Sequence, residues 1–151
     1  MSPAGQPPIL PSNLSPLGAL PARFRRERVL LVGCGDVGLR VAGALGGGGA
    51  GRPRLLALTS SPERVPQLRR HGLLPLQGNL DAAATLRRLA GIATRVVHLA
   101  PPPGEGQRAP GSAWWRDPRT QALLGVLRLR SAPASLVYGS TSGVYGDCGG
   151  A

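Results

Sequence analysis

The sequence predicts an α/β domain: a parallel, doubly wound sheet with helices between its strands. Three observations carry that prediction. Short apolar runs of strand length, such as Val29–Val32, Arg54–Thr59 and Arg95–Ala100, alternate with segments of helical periodicity. The first run, Val29-Leu30-Leu31-Val32, has the length and branching of a buried strand. It leads straight into a glycine turn and then a helix, the unit from which such sheets are wound. Right-handed crossovers then give the strand order 3-2-1-4-5, a Rossmann-type sheet ending after its fifth strand. Ligands of such sheets lie beyond the C-terminal ends of strands 1 and 4, where the winding reverses.

Taken in order, residues 1–22 hold six prolines among Ser, Gly and Asn without periodicity, and read as a disordered leader. Residues 23–151 read as one domain, entered through the basic stretch Arg23 to Arg28. Gly33-Cys34-Gly35-Asp36-Val37-Gly38 fits G-x-G-x-x-G, and Val37, Val41, Ala44 and Leu45 recur after it at helical spacing. Residues 46–51 form a flexible glycine loop. Arg54–Thr59 is the second strand. Ser60 or Ser61 can cap a helix that starts at Pro62, carries Glu63 in its first turn, can kink at Pro66 and ends by Gly72. Leu73–Gln77 is the third strand. Asp81 is placed to cap a helix over Ala82–Ala90, with Gly91 as its stop. Arg95–Ala100 is the fourth strand, broken by Pro101-Pro102-Pro103-Gly104. A polar loop follows to Asp117, then a helix through Arg130 with Leu123, Leu124, Val126 and Leu127 on its apolar side. Ser135–Gly139 is the fifth strand, and 140–151 a glycine-rich tail.

The chemistry-bearing element is the first turn. Gly33 allows its tightness, Gly35 lets a pyrophosphate approach the backbone, and Gly38 lets helix and strand pack closely. The N–H groups and positive dipole end of the helix then hold phosphates. Asp36 and Val37 lie inside this turn; Asp36 repels phosphate unless its carboxylate points away. A chain with 23 glycines also makes such matches by accident, so a ligand-free glycine turn is the competing reading.

Composition narrows the rest. At 151 residues and 42% apolar, the chain is long enough for one real core, and with aromatics at 3% that core is built from Leu, Val, Ala and Ile. No apolar run approaches the ~20 residues of a membrane span. The start lacks the pattern of a secretory signal, which points to the cytoplasm. Cys34 and Cys148 make no disulfide framework. Cys34, inside the turn, reads as a small filler rather than a reactive thiol. His71 and His98 stand alone, so no metal site is expected; His98 is expected to pack or bond locally within its strand. The net charge of +11 invites a nucleic-acid reading. Against it, all 18 basic residues are Arg, a bias a GC-rich coding sequence would impose, and they are spread along the chain. No aromatic residues interleave with them as a stacking platform would require.

Three segments together resemble one family: VGCGDVG at 32–38, VVHLAPPPG at 96–104 and LVYGSTSGVYGDCGG at 136–150. They are similar to the N-terminal half of an extended or atypical short-chain dehydrogenase/reductase, of the NAD-dependent epimerase/dehydratase type. The resemblance implies a nicotinamide dinucleotide cofactor and a small-molecule substrate of sugar-nucleotide-like kind. It places Leu99, Ala100 and Pro101 beside the nicotinamide half, and Asn79 with Leu80 after strand 3, where the family often has an Asp near the adenine. It assigns Thr141, between Ser140 and Ser142, to the substrate's reacting oxygen; the competing reading is that these hydroxyls satisfy backbone groups at a strand end. The family's base, a Tyr in Tyr-x-x-x-Lys, has no counterpart: Tyr138 and Tyr145 are not followed by Lys, and the sequence has none. A truncated member, with its substrate-binding region missing, is the reading this favours. NAD-binding sheets place an acid at the end of strand 2. Here Thr59, Ser60 and Ser61 stand there with Arg64 close behind, so NADP is favoured over NAD. The alternatives are a non-catalytic nucleotide-binding remnant or sensor and a basic nucleic-acid-associated protein. An open strand-5 edge predicts self-association.

Overall fold

The computed structural model describes residues 26–47, 51–104, 111 and 116–139. Within them, five parallel strands form one sheet in the order β3-β2-β1-β4-β5: β1 Arg28–Val32, β2 Arg54–Thr59, β3 Leu74–Gln77, β4 Arg95–His98 and β5 Ser135–Tyr138. Three α-helices, α1 Asp36–Gly46, α2 Val65–Arg70 and α3 Pro118–Leu127, cross between them, with a 3₁₀ turn at Pro62–Arg64 and a 3₁₀ helix at Ala83–Leu89. This is the predicted winding.

The alternation of β1 side chains explains the two layers. Val29 and Leu31 pack with Ala42 of α1 and Leu68 of α2 on one face. Leu30 and Val32 pack with Leu86 and Leu89 of the 3₁₀ helix and Leu123, Val126 and Leu127 of α3 on the other. Burial on both faces is why β1 is an unbroken apolar run. The switch between layers falls between β1 and β4, at the glycine turn.

Several local expectations need correction. The apolar side of α1 is not Val37, Ala44 and Leu45: Val37 is 61% and Leu45 37% exposed. Gly38 and Ala42 face the sheet instead, with Leu39 and Val41 half-buried beside them. The smallest residues win that face because helix and turn backbones nearly touch there. The segment predicted as a helix over Ala82–Ala90 is 3₁₀ throughout, and Asp81 does not cap it; Ala82 is the N-cap. With three residues per turn, Leu86 and Leu89 fall on one line, and both are fully buried. Ser61 is the N-cap of the turn at Pro62 but makes no side-chain cap bond. Thr59 Oγ1 takes the Ser61 N–H at 3.2 Å in its place. β4 stops at His98, because Leu99 and Ala100 both turn their N–H groups onto the Val32 carbonyl. α3 ends at Leu127 rather than Arg130, and its Leu124 faces solvent.

Candidate functional site

Each glycine of the first turn meets a different environment. Gly33 has φ +92°, a region that disfavours side chains. A Cβ there would sit 2.4 Å from the Ala100 nitrogen and 2.6 Å from the Leu99 carbonyl carbon. The turn is therefore pressed against the chain leaving β4. A Cβ on Gly38 would lie 2.5 Å from the Gly33 carbonyl oxygen, so α1 sits directly on the turn. Gly35, the N-cap of α1, has nothing within 4 Å of the Cβ position and no side-chain cap for the helix amides. Two glycines thus serve packing, and the third leaves a hollow beside helix N–H groups. Asp36 does not close this hollow: its carboxylate reaches along the helix to Arg40 at 3.0 Å, both side chains largely in solvent.

Beside the turn, the C-terminal ends of β1, β2, β3 and β4 border a cleft of about 220 Å³. It gathers Gly33, Thr59, Ser60, Ser61, Arg64, Asn79, Leu80 and Ala100, residues scattered over nearly 70 positions of sequence. The volume is below the roughly 300–1,000 Å³ of pockets that swallow a whole small molecule. Gly35, Asp36, Val37, Gly38, Leu99 and Pro101 lie outside the cleft lining. Thr141 lies outside the described residues, as do Ser140, Ser142, Tyr145 and Cys148.

The cleft's electrostatics come from four groups. Arg64 Nη2 donates to the Cys34 carbonyl at 2.5 Å, which fixes one of its five N–H donors and holds the cation at the end of β2. Cys34 is buried, and its Sγ–H points to the Leu31 carbonyl at 3.9 Å. Burial pushes this thiol up to about 11, with Arg64 opposing it, so it stays protonated near neutral pH and fills the turn. Across the cleft, Arg119 grips Asp81 in a two-pronged pair, Nε to Oδ1 and Nη2 to Oδ2, both 2.7 Å. Its Nη1 reaches the Pro101 carbonyl at 3.3 Å. The Arg119 bond holds the Asp81 carboxyl below its usual value, and Asp81 raises Arg119 in return.

Arg119 and Asp81 are the charged cleft residues that sequence reasoning missed, beside Cys34, Leu58 and Gly78 of the same lining. Asp117-Pro118 correctly located the helix start: Asp117 Oδ1 accepts the Arg119 N–H at 3.0 Å. Nothing in the sequence says that the next side chain reaches back to the loop after β3.

His98 is a structural residue, as its strand position suggested. It is fully buried, 2.9 Å from Thr120 Oγ1 through Nε2, and edge-on to the Tyr138 ring at 5.2 Å. Thr120 gives its own proton to Asp117 Oδ2 at 2.5 Å, so it accepts from Nε2–H. Burial lowers the His98 pKa; Asp117 and the Val32 carbonyl oppose that without reversing it. Among the described residues no cluster of His, Cys, Asp and Glu could hold a metal ion, and no helix is long and apolar enough to cross a membrane.

No protein-family model matches the sequence, and no curated protein does. Solved structures do. An NADPH-dependent quinone oxidoreductase from Escherichia coli superposes with a TM-score of 0.53 at 15% identity, covering 73% of this chain and 34% of that one. The Citrobacter sp. triphenylmethane reductase complexed with NADP(H) gives 0.53 at 13%, covering 74% and 36%. A short-chain dehydrogenase/reductase from Veillonella parvula gives 0.52 at 12%, covering 82% and 51%. At these identities the likeness is one of fold: a parallel, doubly wound α/β sheet of Rossmann type. The chain spans about a third to a half of the length of these structures.

Proposed function

We propose that the chain is the dinucleotide-binding part of an oxidoreductase or epimerase and takes NADP(H) along the edge formed by the glycine turn and the adjoining cleft. The observation that carries this reading is the division of labour among the three glycines. Gly33 and Gly38 are required by contacts within the protein, whereas no described residue occupies the space at Gly35. A phosphate there meets main-chain amides and the positive end of α1. The neighbours' printed cofactors, NADPH and NADP(H), support the same ligand.

In this reading Thr59, Ser60 and Ser61 meet the adenosine ribose, and the remaining N–H donors of Arg64 take a 2′-phosphate. Asn79 and Leu80 border the base, while Leu99, Ala100 and Pro101 lead toward the nicotinamide. That ring, when bound, gives or takes a hydride. Thr141 is the proposed donor to the substrate oxygen. The substrate is a small molecule, and the open β5 edge is a proposed self-association surface, since Val137 is 57% and Tyr138 44% exposed.

A second reading, a nucleotide-binding unit without turnover, is favoured by one observation: these 151 residues contain no Lys to pair with a catalytic Tyr, all 18 basic residues being Arg. Titrating NADPH and NADH while following nicotinamide fluorescence tests both. NADPH binding tighter than NADH is the expected result. Failure to bind either removes both readings, and binding without turnover of any sugar or alcohol when NADP+ or NAD+ is supplied as the hydride acceptor selects the second.

A further inference from the structure

Arginines dispersed in sequence converge at the opposite end of the sheet. β1 and β2 both start with arginine, and their parallel register sets Arg28 beside Arg54, a like-charge pair that destabilises a sheet by itself. Arg26 and Arg52 precede these strands, and Arg26 Nε donates to the Arg52 carbonyl at 3.1 Å. Arg69, from the last turn of α2, comes round to line a hollow of about 360 Å³ with Arg26 and Arg54. An adjoining hollow of about 460 Å³ is lined by Arg26, Arg52 and His71 among others. Among the described residues no carboxylate lines either hollow. Glu27, the acid next to this cluster in sequence, is held by Arg95. Arg28 Nε is shut away from solvent with no acceptor among the described residues.

We propose that this end of the sheet is a second ligand site, distinct from the glycine turn, that takes the phosphodiester backbone of duplex nucleic acid. β2 has six residues, so its two ends, and with them the two sites, stand roughly 17 Å apart. Guanidinium forks match phosphate oxygens in pairs. Four arginines over two adjoining hollows exceed what one phosphate can satisfy and fit an anion that repeats. Among the described residues neither hollow is lined by Phe, Tyr or Trp, the broad rings on which unstacked bases lie. That favours duplex over single strand and predicts binding indifferent to sequence.

The test is fluorescence anisotropy of a labelled ~20-base-pair duplex with the full chain between ~50 and ~200 mM salt. The wild type should show log K falling with log salt at a slope near −4, roughly 0.9 per neutralised phosphate. Arg52, Arg54 and Arg69 are exposed, and R52Q/R54Q/R69Q together should flatten the slope by about 3. R69Q alone, the mildest change, should flatten it by about 1 and decides the matter if the triple variant melts early. R87Q/R88Q, on the exposed side of the 3₁₀ helix, should leave it unchanged. NADPH titration should be unaltered in all of these variants, which separates this site from the cleft. The proposal is overturned if the R87Q/R88Q control flattens the slope as much as the triple variant, or if the wild type fails to bind at the lowest salt.

Discussion

The two glycines Gly33 and Gly35 lie two residues apart and should respond to the same substitution in opposite ways. At Gly33, alanine must adopt φ +92°, which costs roughly 1–2 kcal/mol for a residue with a Cβ. Its methyl would also stand 2.4 Å from the Ala100 nitrogen. Backbone on both sides has to part, at roughly 1–3 kcal/mol more. A loss of about 3–4 kcal/mol lowers Tm by on the order of 10–15 °C in a domain of this size. At Gly35, φ is −70° and ψ −161°, extended backbone open to any residue, and the methyl meets nothing within 4 Å. G35A should therefore melt close to the wild type, since the roughly 0.4–1 kcal/mol gained by Gly→Ala at a compatible φ is offset by a loss of similar size from alanine as the poorer N-cap. The same methyl fills the hollow where a pyrophosphate would touch the amides of α1. NADPH affinity should fall at least tenfold, about 1.4 kcal/mol. Thermal melting and nicotinamide fluorescence on the two variants read stability and binding separately. If G35A binds NADPH within about twofold of the wild type, the phosphates do not approach Gly35 and the assignment of the turn is wrong.

Other expectations concern single groups. His98 has a lowered pKa because it is buried, so the unfolded chain binds its proton first; stability should be full above pH about 6.5 and decline as pH drops below it, a slope that H98Q removes in Tm measured against pH. Asp81 is held low by Arg119, so its contribution is present above a normal carboxylate value of about 4 and disappears as pH falls below that. With 52% of the Asp81 side chain in solvent, the pair is worth less than about 1 kcal/mol, and D81N should change Tm by only a few degrees in chemical or thermal melts. In a C148S background, Cys34, pushed up to about 11, should resist a thiol reagent at pH ~8 until denaturant is added; rapid labelling of the folded chain would contradict its burial. V137K places a charge on a β5 side chain that is 57% exposed and should shift sedimentation toward monomer without loss of Tm; unchanged association would exclude this edge.

The alternation of runs and turns determined the winding, because strand length, glycine punctuation and right-handed crossover are properties of the chain itself. Gly33 and Gly38 were legible for the same reason: a left-handed φ at Gly33 and a close approach at Gly38 are demands that only one residue type meets. The grouping of Thr59, Ser60, Ser61 and Arg64 on one cleft was equally legible, since they are near neighbours in sequence. Contacts between segments were not. The choice of Gly38 and Ala42 over Val37 and Leu45 on α1 depended on how near the helix could come to the turn. The 3₁₀ geometry of Ala83–Leu89 depended on two leucines needing one line into the core. Asp81 left its expected capping role for Arg119, 38 positions away, and the arginines at 26, 52, 54 and 69 met at one end of the sheet. A local pattern records what a segment can adopt by itself, whereas side-chain partners across the fold are set by the distances that packing creates between segments.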